Sequence, residues 1–531
     1  MNTPNSSQAL ISDLAAGKEI LSRIPLTNPP QALNETIRFL DSLLVSHLSI
    51  DSVFQLLEHA CLPVVSIAEE TAKRYLNKPV PLSNIEEEFF QQVSQLWQKM
   101  AKAYAYCAEE NPSNLDDRQL AILLHRCIHF TGISILECQN ALREVPRGLW
   151  LRLHGYYDTA EEQDLTTLAI PNAFEPQSRT KTTHCSAAYT AFLLCDMANG
   201  YSLSALERAM VRRLAMAWSA LTSLHPFSPG ELLPRFVVDL MHDAALRPAT
   251  ESLNTDQLRR FNVSHLAEQL SQVRQKLKQR IPPSQLGLGD DCTVLQCSSL
   301  IDHLIRQWSQ GRAARKYRRR LSSGTARICT GFEDMHYCVL GEVFRQPGNT
   351  SIYSRQDFDR LFSFRSQETP QNSAHFNLEK FSTTHKTDVW EVVNESANGF
   401  RLVRNSSGQK MIHRQLLALC PHDGGRFLLA QVVWLTQEYK SGGLIAGIMA
   451  LPGLPTAISV RRGENLGELY QRAFLLTAPE GTDAESSLIL APGWYRLGQI
   501  IEIFDKKART VRLKGVLGSG PGFDWVRFDS C

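Results

Sequence analysis

The sequence predicts a multidomain α + β protein, with a mainly α-helical N-terminal region followed by an antiparallel β-barrel and additional C-terminal strands. Three observations predict this. The 531 residues exceed one ordinary domain. From residue 7 to about 310, apolar residues recur with a helical period. After about residue 320 they fall instead into short β-branched or alternating segments bounded by Gly, Asn, Pro and Ser.

The helical half is clearest in SNIEEEFFQQVSQLWQKMAKAY. Here Ile85, Phe89, Val93, Leu96, Trp97, Met100 and Tyr104 follow one another at steps of three and four. Ser83 stands three residues before Glu86, the spacing of a capping box that satisfies free amides at a helix start. Leu266, Leu270, Val273 and Leu277 form a second apolar face, stopped by Pro282 and Pro283. Further helical patterns fill 31–76, 117–145 and 203–223. The polar, proline-containing stretch 157–183 suggests a division into helical regions 1–156 and 184–310. No fixed repeat period supports a regular solenoid.

In the second half, WEVVNESANGFRLVRN, RFLLAQVVWLT, GLIAGIMAL and TVRLKGVL read as strands. They suit a small antiparallel barrel over 326–465, interrupted by a polar insertion at 341–387, with a C-terminal β extension over 466–531. The uncharged stretch from Gly442 to Val460 holds four glycines and two prolines, which reads as strands and a turn rather than a membrane span. The first residues lack the basic and apolar regions of a signal peptide. Twelve scattered cysteines without a CxxC pair are expected to be reduced, buried thiols of a cytoplasmic protein.

Composition excludes some functions and leaves others to local pattern. With 56 basic and 54 acidic residues the formal charge is +2, so the chain is no globally basic nucleic-acid coat. His125 and His129, four apart, share a helix face, but no HExxH glutamate or third ligand accompanies them, so no metal site is expected. There is no phosphate loop of the GxxxxGK[ST] type and no GxSxG elbow. The adjacent pair His184 and Cys185 is not by itself catalytic. No catalytic residue or cofactor is assigned, and the chain is not expected to be an enzyme.

Two segments carry the functional signal. Residues 311–320, GRAARKYRRR, hold six basic residues and no acidic one, where the helical half gives way to strands. Such a run attracts phosphates without further specificity. Asn394 to Gly399, NESANG, joins two alternating stretches, as a tight turn between strands requires.

Taken together they resemble the paired signatures of the PilZ family. Arg315 and Arg319 fit RxxxR within the basic linker 311–325, and Asn394, Ser396 and Gly399 fit [D/N]xSxxG. The order is also similar, and RFLLAQVVWLTQEYKSGGLIAGIMAL, including Trp434, looks like later strands of that barrel. The resemblance covers roughly 312–460. Seventy-four residues lie between Arg319 and Asn394, so the insertion must loop out of the barrel. Lys316 and Arg320 are likewise four apart, and Ala314 precedes the first motif arginine, where some members carry another arginine and bind a stacked ligand pair.

The resemblance implies a bacterial receptor for cyclic di-GMP, with ligand-binding roles at Arg315, Arg319, Asn394, Ser396 and Gly399. The residue types suit that ligand. A guanidinium pairs bidentately with phosphate oxygens or guanine O6 and N7 and stacks on purines. The Asn amide and Ser hydroxyl suit guanine edges or phosphate, and glycine admits close backbone approach. The helical region is then the output part that holds a protein partner. The alternatives are a nucleic-acid-binding protein using the basic linker, or a scaffold with a degenerate barrel.

Overall fold

The computed structural model describes residues 11–110, 115–174, 181–227, 234–246, 257–310, 319–347, 387–405, 408–439, 441–462, 468–478 and 485–531. The chain divides into two units. One comprises Met1–Lys316 with Thr436–Gly442, and the other Tyr317–Leu435 with Gly443–Cys531.

The first unit is built from helices α1 (Leu14–Ser22), α2 (Pro29–Leu44), α3 (Ile50–Ala72), α4 (Asn84–Glu110), α5 (Asp117–Asn140) and α6 (Leu149–Glu162). They are followed by α7 (Cys185–Met197), α8 (Ala205–Trp218), α9 (Ser264–Lys278) and α10 (Val294–Leu304). A two-residue pairing joins β1 (Ile170–Pro171) to β2 (Thr182–Thr183). A small sheet sets β5 (Leu258–Asn262) between β3 (Ser223–Pro226) and β4 (Val237–Asp239). The expected break at 157–183 does not separate two bodies: α5 packs on α4, α6 and α7, and all lie in one unit. The small sheet was not anticipated either.

Local chemistry sets the helix ends. Ser83 and Glu86 form the reciprocal cap expected, with the Ser83 amide donating to Glu86 Oε2 at 2.8 Å and the Glu86 amide to Ser83 Oγ at 3.4 Å. The buried face of α4 begins later than the sequence period suggests. Ile85 is 69% exposed and Phe90 is buried, while Phe89 lies under the Arg74 guanidinium at 4.9 Å. Leu266, Leu270, Val273 and Leu277 of α9 are all buried as expected. α3 and α5 are long and apolar enough to cross a membrane by length and composition, and most of the apolar window of α5 is buried within the unit. Eight of the unpaired cysteines are buried, but Cys292 and Cys297 are disulfide-bonded, which corrects the expectation that all thiols are free.

His125 and His129 sit one turn apart on α5 and are both buried. Phe174 stacks on His129 with ring centroids 3.6 Å apart and planes 2° from parallel. Burial is the main cause that pushes both imidazoles well below the usual histidine range. The Arg126 and His184 charges add to this at His125, and His125, Arg212 and Arg126 add to it at His129. His129 Nε2 has no hydrogen-bond partner.

The second unit holds two barrels. The first uses β6 (Arg320–Leu321), β7 (Thr325–Cys329), β8 (Thr387–Ser396), β9 (Gly399–Arg404), β10 (Leu416–Pro421), β11 (Leu428–Gln437) and β12 (Leu444–Ala450). Its strands run in the order β6-β8-β7-β10-β11-β12-β9, and β9 pairs back on β8 to close a six-stranded ring with β6 appended. The second barrel is closed by β13 (Leu454–Arg462), β14 (Gln471–Thr477), β15 (Ser487–Leu490), β18 (Phe523–Ser530), β17 (Ala508–Gly520) and β16 (Ile500–Phe504) in that order. The boundary expected at 465 therefore falls inside this barrel, because β13 belongs to it. The segment expected as a β extension is the rest of a closed barrel.

A helix not anticipated in the strand-rich half, α11 (Phe332–Leu340), lies where the two barrels meet. Gly331 and Gly341 bracket it at φ of +87° and +83°, conformations that glycine adopts without a Cβ clash. Met335 joins one apolar cluster with Leu416, Ala418 and Leu429 of the first barrel and Phe474, Leu476 and Phe523 of the second. His336 Nε2 lies 3.2 Å from the Ile458 carbonyl oxygen. Gly520 brings the barrels closer still, since a Cβ there would stand 2.2 Å from the Arg414 carbonyl oxygen.

At one end of the β8–β9 pair, Arg404 is buried, ion-paired with Asp388 and stacked over Trp390 at 4.8 Å. Asp388 Oδ2 also accepts from the Gln409 amide at 2.8 Å.

The buried histidines and the buried ion pair each set a measurable outcome. Each histidine binds protons in the unfolded chain from about pH 6.5 downward but not in the fold, so stability present above that pH is lost as pH falls. The cost at pH 5.5 is about 1 kcal/mol per histidine. Thermal unfolding of His129→Phe between pH 7.5 and 5.5 should show a flatter decline than wild type. The comparison isolates His129 from Glu137, whose burial raises its pKa and acts in the opposite sense. Removing one partner of the buried pair leaves a charge uncompensated, so Arg404→Ala should cost about 3 kcal/mol in urea unfolding. The double change Arg404→Met with Asp388→Asn should recover most of that loss.

Candidate ligand-binding site

The barrel organises this face through β8. β6 and β7 lie along one edge of β8 and β9 along the other. Arg320 pairs with Glu395 and Leu321 with Asn394, so the end of the basic linker runs directly beside the second motif. Arg319, exposed, immediately precedes that pairing. Arg315 lies outside the described residues, as do 311–318 as a whole and 348–386 of the expected insertion.

Asn394 and Ser396 face outward because of one extra residue. Val392 pairs with Leu402, and both are buried in the barrel. Strand alternation would send Asn394 inward as well. Instead the register shifts at Val393, and Asn394 pairs with Arg401. Such a bulge adds one residue on one strand and reverses the facing of the residues beyond it. On the other edge the ladder bends in step: the Ser322 amide donates to the Val393 carbonyl at 3.3 Å and the Val392 amide to the Gly324 carbonyl at 2.8 Å.

The turn completes the face. Ser396 pairs with Gly399 across Ala397 and Asn398, and the Ser396 hydroxyl donates to the Gly399 carbonyl oxygen at 3.3 Å. The Ala450 amide donates to the Asn398 carbonyl at 2.9 Å, tying the turn to β12. A Cβ on Gly399 would meet Ser396 Oγ at 3.3 Å and the Ile448 carbonyl oxygen at 3.4 Å. Any side chain there would crowd the hydroxyl. The Asn394 amide group makes no hydrogen bond among the described residues.

The structure thus brings Arg319, Asn394, Ser396 and Gly399 to one edge and face of the first barrel. It adds residues that the motifs did not supply. Arg401 stands opposite Asn394 on β9 and opposite Gly447 on β12. Trp434 of β11 lies against Gly447, whose Cβ would be 1.9 Å from the indole Nε1. The alternation in FRLVR, with Leu402 buried, is the sequence signal that places Arg401 outside. Among the described residues, no group of three or more His, Cys, Asp or Glu is placed to hold a metal ion.

Comparison with known proteins fits this architecture. Residues 15–229 match the N-terminal domain model of the cyclic-di-GMP receptor FimW, 235–359 its middle PilZ domain and 456–531 its C-terminal beta-barrel domain. The middle match includes Arg315 and Arg319 and ends before Asn394, with the long insertion in between. The cyclic-di-GMP receptor FimW of Pseudomonas aeruginosa (strain PAO1) is 23% identical, over 94% of this chain and 88% of its own. With its three domain models matched in chain order over most of its length, the chain belongs to the FimW family, with a PilZ domain in its middle.

Proposed function

We propose that the chain is a bacterial, cytoplasmic cyclic di-GMP receptor, not a catalyst, and that it binds the second messenger where the basic linker meets the first barrel. Arg315 and Arg319 clamp the ligand from the linker, and Asn394, Ser396 and Gly399 receive it on the barrel face. The observation that carries this is the pairing of Arg320 and Leu321 with Glu395 and Asn394, which sets the end of the arginine segment beside the second motif. The family's description as a cyclic-di-GMP receptor supports the ligand class.

The chemistry is complementary. The ligand carries two phosphates and two guanines, and the linker carries six positive charges without an acidic residue. Charge-assisted bonds from arginine to phosphate are about twice as strong as neutral ones. Binding offsets the mutual repulsion of the linker charges and fixes the segment against β8. The linker joins the helical region to the barrel, so fixing it biases how the helices are presented to a protein partner. The size of that bias equals the ligand's differential affinity for the two arrangements.

Titration calorimetry with cyclic di-GMP, with GTP and cyclic di-AMP as controls, tests the reading. Wild type should bind cyclic di-GMP saturably, and Arg315→Ala with Arg319→Ala should weaken binding by roughly 100-fold or more, as loss of two charged hydrogen-bonding groups implies. No heat beyond the controls from folded protein would sink the receptor reading. Binding of any single strand or duplex with a steep salt dependence would instead favour a nucleic-acid contact. Identical solution-scattering profiles with and without saturating ligand would remove the interdomain step.

A further inference from the structure

Arg401 is a charged side chain on this face that neither motif contains, and among the described residues the exposed Glu391, opposite Val403, lies on the same side. Arg401 is half-buried on β9, directly opposite Asn394 and next to the Ser396–Gly399 pair. Its Nε is buried without a hydrogen-bond partner, and its guanidinium makes no ion pair among the described residues. Three residues along the same strand, Arg404 is paired with Asp388. A guanidinium left uncompensated in a partly desolvated place is costly unless something else binds it. The motif position opposite could hold an aspartate, which would neutralise Arg401. Here it is Asn394, which leaves the charge open.

Arg401 has a further neighbour across the ladder. Its partner on the far side is Gly447, which has no side chain, and the Trp434 indole covers that gap. An aromatic ring on the strand beyond an open guanidinium suits a purine better than a bare phosphate. A purine stacked on the indole would turn its edge toward the arginine fork. Guanine presents two acceptors, O6 and N7, at the spacing that a guanidinium fork matches.

We infer that Arg401 reads the O6 and N7 edge of a guanine of the bound cyclic dinucleotide and so sets base specificity at this site. This rests on the reading of the face as the cyclic di-GMP site. Arg401 then engages a base from the barrel side.

A chemical double-mutant cycle tests it on the full chain. Cyclic di-GMP and its analogue with 7-deazaguanine bases, which lacks N7, are titrated against wild type, Arg401→Ala, Arg401→Gln and Arg401→Lys, with thermal unfolding as the fold control. Wild type should bind the analogue about 10-fold more weakly than cyclic di-GMP. Arg401→Ala should lose roughly 10- to 100-fold for cyclic di-GMP and bind both ligands alike, the range of one bidentate base contact. Arg401→Lys keeps the charge but not the fork, so it should also lose the preference. If Arg401→Ala unfolds, the Gln and Lys variants carry the same comparison. Unchanged cyclic di-GMP affinity in the variants overturns the inference, as does a deaza penalty that persists in them or is missing from wild type. Failure of wild type to bind cyclic di-GMP at all is a separate outcome, which overturns the reading of the face itself.

Discussion

The single extra residue at Val393 is the constraint on which the face depends. β8 has two jobs that an unbroken strand cannot do together. Its first half must send Trp390 and Val392 into the barrel, and its second half must send Asn394 and Ser396 out of it. A period of two forbids both, because residues at even spacing share a side. The bulge resolves the conflict, and the break between β6 and β7 on the opposite edge accommodates it, since Ser322 bonds to the Val393 carbonyl and Gly324 to the Val392 amide. Just past the irregularity the end of the linker joins the sheet, at Asn394 and Glu395.

A second constraint fixes what the first barrel can rest against. In β14 the residues Ala473, Phe474, Leu475 and Leu476 are all buried, and β15 is buried at each of its four positions. Such strands have no solvent side. Ala473, Leu475, Leu488 and Leu490 fill the interior of the second barrel. Phe474, Leu476 and Ile489 face the other way and share a cluster with Met335 of α11 and Leu416, Ala418 and Leu429 of the first barrel. Covering that outer face removes several large side chains from water, each worth about 1.5–3 kcal/mol when fully buried. The C-terminal strands therefore form a body whose outward apolar surface needs the first barrel and its helix.

How much of this is legible in the sequence depends on the range of the interactions involved. The Ser83–Glu86 cap, the α9 stripe and the turn at Asn394 to Gly399 are local, and they can be read directly. The existence of a barrel is also legible, since its strands alternate or run apolar between turn residues. The closed second barrel is not, because closure is a pairing between β13 and β16, and strand patterns do not state their partners. α11 escapes notice because nine residues span too few turns for a period to show, although the glycines bracketing it mark its ends. The single helical unit is missed for a related reason. A polar stretch such as 157–183 looks like a linker, whereas the packing of α7 on α5 and α6 is long-range. The motif residues are recognisable, yet their outward facing is not, because the Val393 bulge breaks the alternation from which a face would be read.

The two arginines of β9 bear on the proposed site, because their charges are met differently. Arg404, buried on the inward side, pairs through Nη1 with Asp388 and stacks over Trp390, while its Nε and Nη2 have no hydrogen-bond partner among the described residues. Arg401, on the outward side, faces a neutral amide and a glycine, and none of the compensations that Arg404 has is repeated for it among the described residues. Stability alone gives no reason to leave it so, since exchanging Asn394 for an acidic residue would pair it. An arrangement that keeps a guanidinium open, a neutral amide and hydroxyl beside it and a basic linker arriving at the same edge makes physical sense when an acceptor-rich, anionic ligand supplies what the protein withholds.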